Sequence, residues 1–205
     1  MPPLGPPAST ALLIVDMQND FLLEDAPLPA AGGLGVIPVI SGLASVARAC
    51  GMRVVFTKEM HRADHSDFGI ELDFEPPHCI EGTTGPDIVI GLAPEPGDIV
   101  IEGKRRYNGF LGTDLDLVLR AGRVENLIVT GVCTDVCVSA TVQHARNLDY
   151  RCFVVRDAVA GTSPERHEAA LMCLEHVFAR VVTAEQVMAF FGPEPIAIKR
   201  PVVLG

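Results

Sequence analysis

Short runs of apolar and β-branched residues alternate along the chain with stretches whose apolar residues recur at helical spacing. The runs are almost continuously hydrophobic, which is typical of strands that are covered on both faces. The alternation predicts a three-layer α/β/α sandwich around a mainly parallel six-stranded sheet with right-handed crossovers. The predicted strands are 11–15, 53–57, 98–101, 126–130, 151–155 and 180–182, and the predicted helices are 36–49, 113–121, 134–148, 164–177 and 184–191.

Two of these helices begin with recognisable caps. Thr162 and Ser163 offer a hydroxyl N-cap and are followed by proline, which is favoured at the first helical position. Thr183 and Gln186 have the spacing of a capping box. Helix starts near 164 and 184 are therefore expected.

The interval 58–97 interrupts the alternation. It is rich in proline and glycine and has little periodicity, and an irregular connection of that length is usually functional. We expect it to fold over the mouth of an active-site cleft. Because no repeat or second composition class is visible, 1–205 is expected to be a single domain whose Pro-rich termini are tails or partner-contacting arms.

Composition narrows the range of partners and compartments. The 205 residues carry a formal net charge of −10, which argues against nucleic acid or an anionic membrane as the main partner. No apolar stretch reaches the roughly 18 residues that span a bilayer, and the start of the chain lacks the features of a signal peptide. The six cysteines have no framework spacing, so we expect reduced thiols and a cytoplasmic protein.

A cysteine just inside a predicted helix is the first candidate for chemistry. Cys137 follows the apolar run and turn of LIVTGVCTDVCV, where backbone N–H groups and the helix dipole favour a thiolate. Asp16 and Lys104 lie at or just past the ends of two predicted strands. Since the carboxyl ends of strands in an open parallel sheet meet at one crevice, the three groups are expected to share a cleft.

Each of these residues also has an ordinary structural explanation. A buried cysteine is commonly a small apolar residue, Asp16 could cap the following turn, and Lys104 could belong to a solvated Lys-Arg-Arg run. The residues alone leave these alternatives open.

Three sequence blocks in order carry a family resemblance. They are DMQNDF from Asp16, GKRRYNGFLGTDLDLVLR from Gly103 and GVCTDVCVSATVQHARNLDY from Gly131. Through them the chain resembles the isochorismatase-like cysteine hydrolases, which include nicotinamidases and N-carbamoyl amide hydrolases. The resemblance implies the three-layer α/β fold and a catalytic triad of Asp16, Lys104 and Cys137.

The resemblance also assigns the neighbouring backbone. It implies a cis peptide bond between Val132 and Cys133, with the N–H groups of Cys133 and Cys137 forming an oxyanion hole. The expected reaction is hydrolysis of a small amide or carbamoyl compound through a thioester, with release of ammonia or an amine. A carboxylate near pKa 4 is poorly matched to a thiol near 8.5, so burial and Lys104 are expected to bring the two pKa values closer.

A metal site is a further possibility. Glu59 and His61 are two residues apart beyond a predicted strand and would face the same side of extended backbone. The resemblance to nicotinamidases implies His78 as a third ligand for zinc, iron or manganese, although the family position that matches Glu59 is ordinarily Asp. His65 is a competing ligand, and the alternative is a polar loop without metal. The chemistry itself requires no cofactor.

Aromatic residues beside the three blocks are candidates for substrate binding. Phe21, Tyr107 and Phe110 could line the pocket, or the two phenylalanines could be core residues. The chain has no tryptophan to form the aromatic wall expected of a nicotinamidase, so a broader amide or carbamoyl substrate is favoured. Arg105 and Arg106 could attract a substrate carboxylate or could be surface charges.

Two other functions are less favoured. A true isochorismatase cleaves a vinyl ether and lacks the nucleophilic cysteine, so Cys137 argues against that activity. A non-catalytic family member would not need all three triad residues, so their presence argues against that alternative as well. A mean hydropathy of +0.31 and the family resemblance favour a homo-oligomer.

Overall fold

A single parallel sheet organises the protein. The structure, a computed structural model, describes residues 4–191, so the proposed C-terminal tail lies outside the described residues. The strands are β1 Thr10–Val15, β2 Arg53–Glu59, β3 Ile99–Lys104, β4 Asn126–Val132, β5 Arg151–Ala160 and β6 Ala179–Val182. Every neighbouring pair is parallel, in the order β3-β2-β1-β4-β5-β6, so the predicted six-stranded sheet is confirmed.

Helices cover both faces of this sheet. They are α1 Asn19–Leu22, α2 Ile37–Ala49, α3 Leu115–Ala121, α4 Ser139–Asn147, α5 Pro164–Val177 and α6 Ala184–Phe191. Apolar side chains of α2 and α6 pack on one face, and those of α3, α4 and α5 pack on the other. From Ala11 to Val15, successive residues of β1 alternate between the two cores, which is why this part of the strand is apolar at every position. The predicted three-layer sandwich is confirmed.

The helix caps form as expected. The Ser163 hydroxyl accepts the N–H of Arg166 at the start of α5. Before α6, the Thr183 N–H donates to the Gln186 side chain at 2.9 Å, and the Gln186 N–H donates to the Thr183 hydroxyl at 3.2 Å. Helix 134–148 differs from expectation, because its first part, Thr134–Val138, is a π-helical turn that precedes α4.

From β1 the chain builds the sheet outwards in one direction through β2 and β3, and from β4 in the other direction through β5 and β6. At this change of order a crevice opens beyond the carboxyl ends of β1 and β4. A glycine allows these two strands to approach closely. A Cβ on Gly131 would lie 2.1 Å from the carbonyl oxygen of Val15, and the Gly131 φ of +108° is one that other residues rarely adopt. The residues that follow β1 and β4 therefore start from adjacent positions.

The connection from β2 to β3 is long and mostly irregular. It contains a 3-10 turn at Gly69–Asp73 and a second at Ile90–Leu92. The Gln18–Ile88 bridge attaches it to the segment that follows β1, and the His61–Ile80 bridge joins two parts of the connection itself. Among the described residues, no helix is both long and apolar enough to cross a bilayer.

Candidate active site

The structure brings the three expected side chains together in a buried cluster. The Nζ of Lys104 lies 2.7 Å from Oδ2 of Asp16 and 3.7 Å from Sγ of Cys137. The side chains of Asp16 and Lys104 are completely inaccessible to solvent. A carboxylate, an ammonium and a thiol are thus held in mutual contact, although 121 positions of the sequence separate the first from the last.

The sheet explains why the ammonium is carried by lysine. Lys104 ends β3, an edge strand, whereas Asp16 follows β1, two strands away. Neighbouring strands are separated by about 4.8 Å, so a side chain from β3 must cross roughly 10 Å to reach the end of β1. The long side chain of lysine can span most of that gap by passing over the end of β2, which lies between β3 and β1.

The strand between them supplies two more polar groups. Glu59 pairs with Lys104 across β2 and β3, and its Oε2 accepts a hydrogen bond from Nζ at 2.9 Å. Thr57 donates its hydroxyl to Oδ1 of Asp16 at 2.6 Å and accepts the Asp16 N–H at 3.2 Å. Asp16 has a positive φ of 49°, which Asp tolerates better than most residues. These bonds fix the carboxylate towards the lysine.

The nucleophile candidate lies in the π-helical turn after β4. Cys133 and Cys137 both border the cavity, and the Val132–Cys133 peptide bond is cis, as the family resemblance implied. The carbonyl of Cys133 accepts the N–H groups of Val136 and Val138 at 3.0 and 3.1 Å. All six cysteines are free, which confirms the prediction of unpaired thiols.

Burial dominates the ionisation of the cluster. It raises the pKa of the Asp16 carboxyl, while the Lys104 ammonium opposes that rise. It also raises the pKa of the Cys137 thiol, again against Lys104. Burial thus opposes ionisation of both Asp16 and Cys137, whereas the Lys104 ammonium favours it.

The pKa of Glu59 is shifted in the opposite direction, downwards. Burial opposes its ionisation, but the Lys104 ammonium, which also donates a hydrogen bond to Glu59, and the nearby His61 ring outweigh burial and hold its pKa at about 2. For Lys104, burial is outweighed by the facing carboxylates, which raise the pKa of the ammonium well above its usual value. Lys104 therefore stays charged and serves two carboxylates at once.

The remaining polar residues of the DMQNDF block hold the long connection in place. The amide of Gln18 donates to the carbonyls of Glu59 and Pro86 at 2.7 and 2.9 Å, and its oxygen accepts the Glu59 N–H at 2.8 Å. The Asp20 carboxylate accepts the N–H of Cys79 at 2.6 Å. From this block the sequence analysis assigned roles to Asp16 and Phe21 and missed both anchors, although their place in the motif was a signal.

A second buried cluster adjoins the first. Glu59, His61 and His78, the three expected metal ligands, come together with a fourth residue, Glu71, and one ligand atom from each lies within 4.8 Å of the others. Glu71, which lies in the 3-10 turn Gly69–Asp73, was not predicted, since the sequence around it has little periodicity and contains other acidic residues. His65 is exposed on the same loop and takes no part.

The polar atoms of this cluster fit a cation. Oε1 of Glu59, Nε2 of His61 and Oε1 of Glu71 are buried and have no hydrogen-bond partner among the described residues. Nδ1 of His78 lies 2.9 Å from the Pro76 carbonyl, and Nδ1 of His61 lies 3.4 Å from Asp67. Because these acceptors favour a proton on Nδ1, the Nε2 lone pairs are free to face a metal.

A cavity of about 310 Å³ opens onto the thiol. Phe21 and Tyr107 border it, as expected for substrate-binding residues, and Phe74 of the long connection stands at its edge. Phe110 does not. It is buried in the core, where its ring stacks on His144 and Tyr150, so the expectation that it binds substrate is wrong.

The arginines proposed to attract a substrate carboxylate are also elsewhere. Arg105 is paired with Asp67 at 2.8 Å, and Arg106 with Glu71 at 3.5 Å. Neither borders the cavity. Among residues 4–191, the arginine that borders the cavity is Arg166, in the first turn of α5, and its position in the sequence is that of an ordinary helix surface charge.

Comparison with known proteins identifies the family. The Isochorismatase domain model matches residues 10–186. A probable inactive nicotinamidase of Arabidopsis thaliana is 31% identical over 186 residues, which cover 87% of this chain and 94% of that protein. A ureidoacrylate amidohydrolase of Stutzerimonas stutzeri is 34% identical over 217 residues, covering 94% and 87%.

A solved structure supports the same assignment. The pyrazinamidase of Pyrococcus horikoshii, crystallised in complex with zinc, superposes with a TM-score of 0.78 at 31% identity and covers 85% of this chain and 99% of its own. The sequence resemblance and the predicted isochorismatase-like fold are thereby confirmed. Since the family model spans most of its length, this chain belongs to the isochorismatase family.

Proposed function

We propose that this isochorismatase-family amidohydrolase, which acts on carbon–nitrogen bonds other than peptide bonds, cleaves a small amide or carbamoyl compound with Cys137 as nucleophile. The observation that carries the proposal is the position of Lys104 Nζ, 2.7 Å from Asp16 and 3.7 Å from the sulfur of Cys137, a residue that borders the cavity. A base, a cation and a thiol in contact are the components of activated-cysteine chemistry.

In the first half-reaction, Asp16 takes the Cys137 proton as sulfur attacks the carbonyl carbon of the substrate. The raised pKa of the buried carboxyl favours this transfer because it makes Asp16 a stronger base than an exposed aspartate. Lys104 stabilises the thiolate and keeps Asp16 aimed at it. The N–H groups of Cys133 and Cys137 are proposed to stabilise the oxyanion.

Collapse of the tetrahedral intermediate breaks the C–N bond. The leaving nitrogen takes the proton from Asp16 and departs as ammonia or an amine, which leaves an acyl thioester on Cys137. Water then gives a proton to Asp16 as it attacks the thioester. The acid product leaves, and the thiolate recovers the proton.

The second cluster is proposed to hold a divalent zinc, iron or manganese ion through Glu59, His61, Glu71 and His78. These are imidazole and carboxylate ligands of the type that such ions take, and three of the four contribute an unpartnered buried atom. A bound ion would supply positive charge at this end of the cavity. Elemental analysis of the purified protein tests the assignment, with Glu59→Ala as the comparison; a metal content that is equal in both contradicts it.

Two alternatives are less well supported. Vinyl ether hydrolysis gives no role to a thiol in contact with an ammonium, and a non-catalytic member gives no role to a buried cluster of three charges, which is costly to keep. A nicotinamidase remains the second candidate, because the cavity adjoins the metal cluster and a zinc-bound pyrazinamidase shares the fold.

Ammonia release over a panel of small amides and carbamoyl compounds tests the proposed activity. We expect turnover of at least one compound, complete inhibition by iodoacetamide, and a carbamidomethyl group on the peptide that contains Cys137. Substrate should protect this cysteine. Turnover that persists after full alkylation of Cys137 would exclude the proposed nucleophile.

The protein is further proposed to act as a homo-oligomer in the cytoplasm. Large apolar side chains are exposed, including Ile90 at 95%, Phe74 at 83% and Ile70 at 79%, and the free thiols suit a reducing compartment. Light scattering coupled to gel filtration tests the assembly, and a mass of 21.9 kDa at micromolar concentration would contradict it.

A further inference from the structure

The cavity has opposite charges on its two sides. The acidic groups belong to β2 and the long connection, which place Glu59 and Glu75 on its border. The cationic side chain that borders it in the described part of the chain is Arg166, which follows β5 on the far side of β4. Since the nucleophile follows β4, Cys137 lies between the acidic side and the cationic side.

Arg166 is held at this position by a short chain of hydrogen bonds. Its Nη1 donates to the Thr162 hydroxyl at 3.3 Å, and Thr162 also borders the cavity. The Asp135 carboxylate accepts the Thr162 N–H at 2.8 Å and the Thr162 hydroxyl. Asp135 belongs to the same π-helical turn as Cys137, so the guanidinium and the nucleophile are fixed relative to each other.

The charge of Arg166 is not used within the described part of the chain. Arg156, on β5, is paired with Glu168 at 3.2 Å, whereas among residues 4–191 Arg166 forms no ion pair and has the Thr162 hydroxyl as its side-chain hydrogen-bond acceptor. The other arginines close to the cavity, Arg105 and Arg106, already have acidic partners. Arg166 is therefore the cation that a substrate can engage.

We infer that Arg166 binds a carboxylate of the substrate and thereby determines specificity. The inference rests on the proposed amide hydrolysis and narrows it to small anionic amides or ureido compounds. Glu75, which is not among the proposed metal ligands, disfavours an anion on the opposite side of the cavity, so the carboxylate is directed to Arg166 while the scissile carbonyl meets Cys137.

The cavity also limits the remainder of the substrate. Its volume of about 310 Å³ is at the lower end of ligand pockets, and Leu28, Val132 and Val136 make much of its wall apolar. A short apolar spacer between the carboxylate and the scissile carbonyl fits this wall. An amide or ureido N–H at the far end would face the carboxylate of Glu75.

Matched pairs of substrates separate charge from shape. Succinamate and succinamide differ in one group, a carboxylate in place of an amide, and N-carbamoyl-β-alanine and its amide form a second pair. The wild-type protein should show a higher kcat/KM for the anionic member, after correction for the two amides of succinamide. Because Arg166 is exposed, we expect a preference of about tenfold rather than hundredfold.

Arg166→Met should remove this preference by lowering kcat/KM for the anionic member alone, and Arg166→Glu should reverse it. Arg156→Met is the matched control, since it removes an exposed arginine outside the cavity, and it should leave the ratio unchanged. Equal use of both members by the wild-type protein, or a ratio unaffected by Arg166→Met, would overturn the inference even though amide hydrolysis stands.

A binding measurement keeps the inference separate from turnover. In Cys137→Ala, calorimetry should show tighter binding of succinamate than of succinamide, and the added variant Arg166→Met should abolish the difference. If this difference is present while no amide of either pair is hydrolysed, the anion site stands and the proposed reaction fails. If anion and neutral amide bind equally, the anion site is refuted.

Discussion

Removal of the buried ammonium should reveal the repulsion that it suppresses. Asp16 and Glu59 are both almost fully buried, and a carboxylate oxygen of each lies within 4.8 Å of the other. At this distance and an effective dielectric constant of about 20, two unit charges repel by about 3.5 kcal/mol. Lys104, at 2.7 and 2.9 Å from the two groups, offsets this repulsion.

Lys104→Met is therefore expected to lower the free energy of unfolding at pH 7 by about 3–5 kcal/mol, the range found when one partner of a buried ion pair is removed. Lys58→Met is the matched control. Lys58 lies 3.9 Å from Asp87, whose side chain is 60% exposed, so its removal should cost no more than about 1 kcal/mol.

The loss in Lys104→Met should depend on pH in a defined direction. Without the ammonium, the folded-state pKa of at least one carboxylate lies above its unfolded value, so the variant is most stable when that group is protonated. Its stability should fall as the pH rises, by up to about 1.4 kcal/mol per pH unit for one proton. In the wild-type protein Glu59 acts in the opposite direction, because its pKa of about 2 makes stability fall as the pH drops from 4.5 towards 2.

Urea unfolding followed by circular dichroism at pH 5, 6, 7 and 8, after removal of metal by a chelator, measures these differences. Glu59→Gln in the Lys104→Met background should restore part of the stability at pH 7. Unfolding free energies of Lys104→Met that match the wild-type protein at every pH would refute the claim that Lys104 balances two buried carboxylates.

Three further outcomes are expected. Gly131→Ala should destabilise the fold by several kcal/mol, measured by thermal unfolding, because its Cβ would lie 2.1 Å from the Val15 oxygen; a normal Tm would contradict this close approach. The acid limb of the pH profile of kcat/KM should have its midpoint above 3.8, since burial raises the pKa of the base Asp16, and activity should be lost as the pH falls through it; a midpoint at or below 3.8 would argue against this base. Glu71→Gln should weaken zinc affinity at least tenfold in a chelator competition while the metal-free fold stays intact, and an unchanged affinity would remove Glu71 from the ligand set.

The strands and helices could be predicted from the sequence because buried parallel strands appear in it as continuous apolar runs. The run at 11–15 corresponds to β1, Thr10–Val15, and the cap at Ser163 corresponds to the start of α5. β5 was predicted too short. It continues to Ala160 past the polar pair Arg156 and Asp157, where its register against β4 shifts, and an apolar pattern cannot show a strand beyond such an interruption.

The triad could be located because strand ends carry it, whereas the surrounding groups depend on tertiary contacts. Glu71 comes from the long connection between β2 and β3 and Arg166 from a helix surface, where nothing local distinguishes them from other charged residues. The helix dipole near Cys137 can be inferred from a local pattern, but the burial that raises the pKa of its thiol depends on the whole fold.

The central claim is that the sulfur of Cys137 performs the chemistry, and the most direct measurement is ammonia release by Cys137→Ala at saturating concentration of the best amide of the panel. Cys152→Ala serves as control, since it also removes a buried thiol but lies in the core on β5. We predict no turnover above background in Cys137→Ala, with an unchanged circular dichroism spectrum, and substantial turnover in Cys152→Ala. Near-normal ammonia release by the folded Cys137→Ala protein would contradict the account.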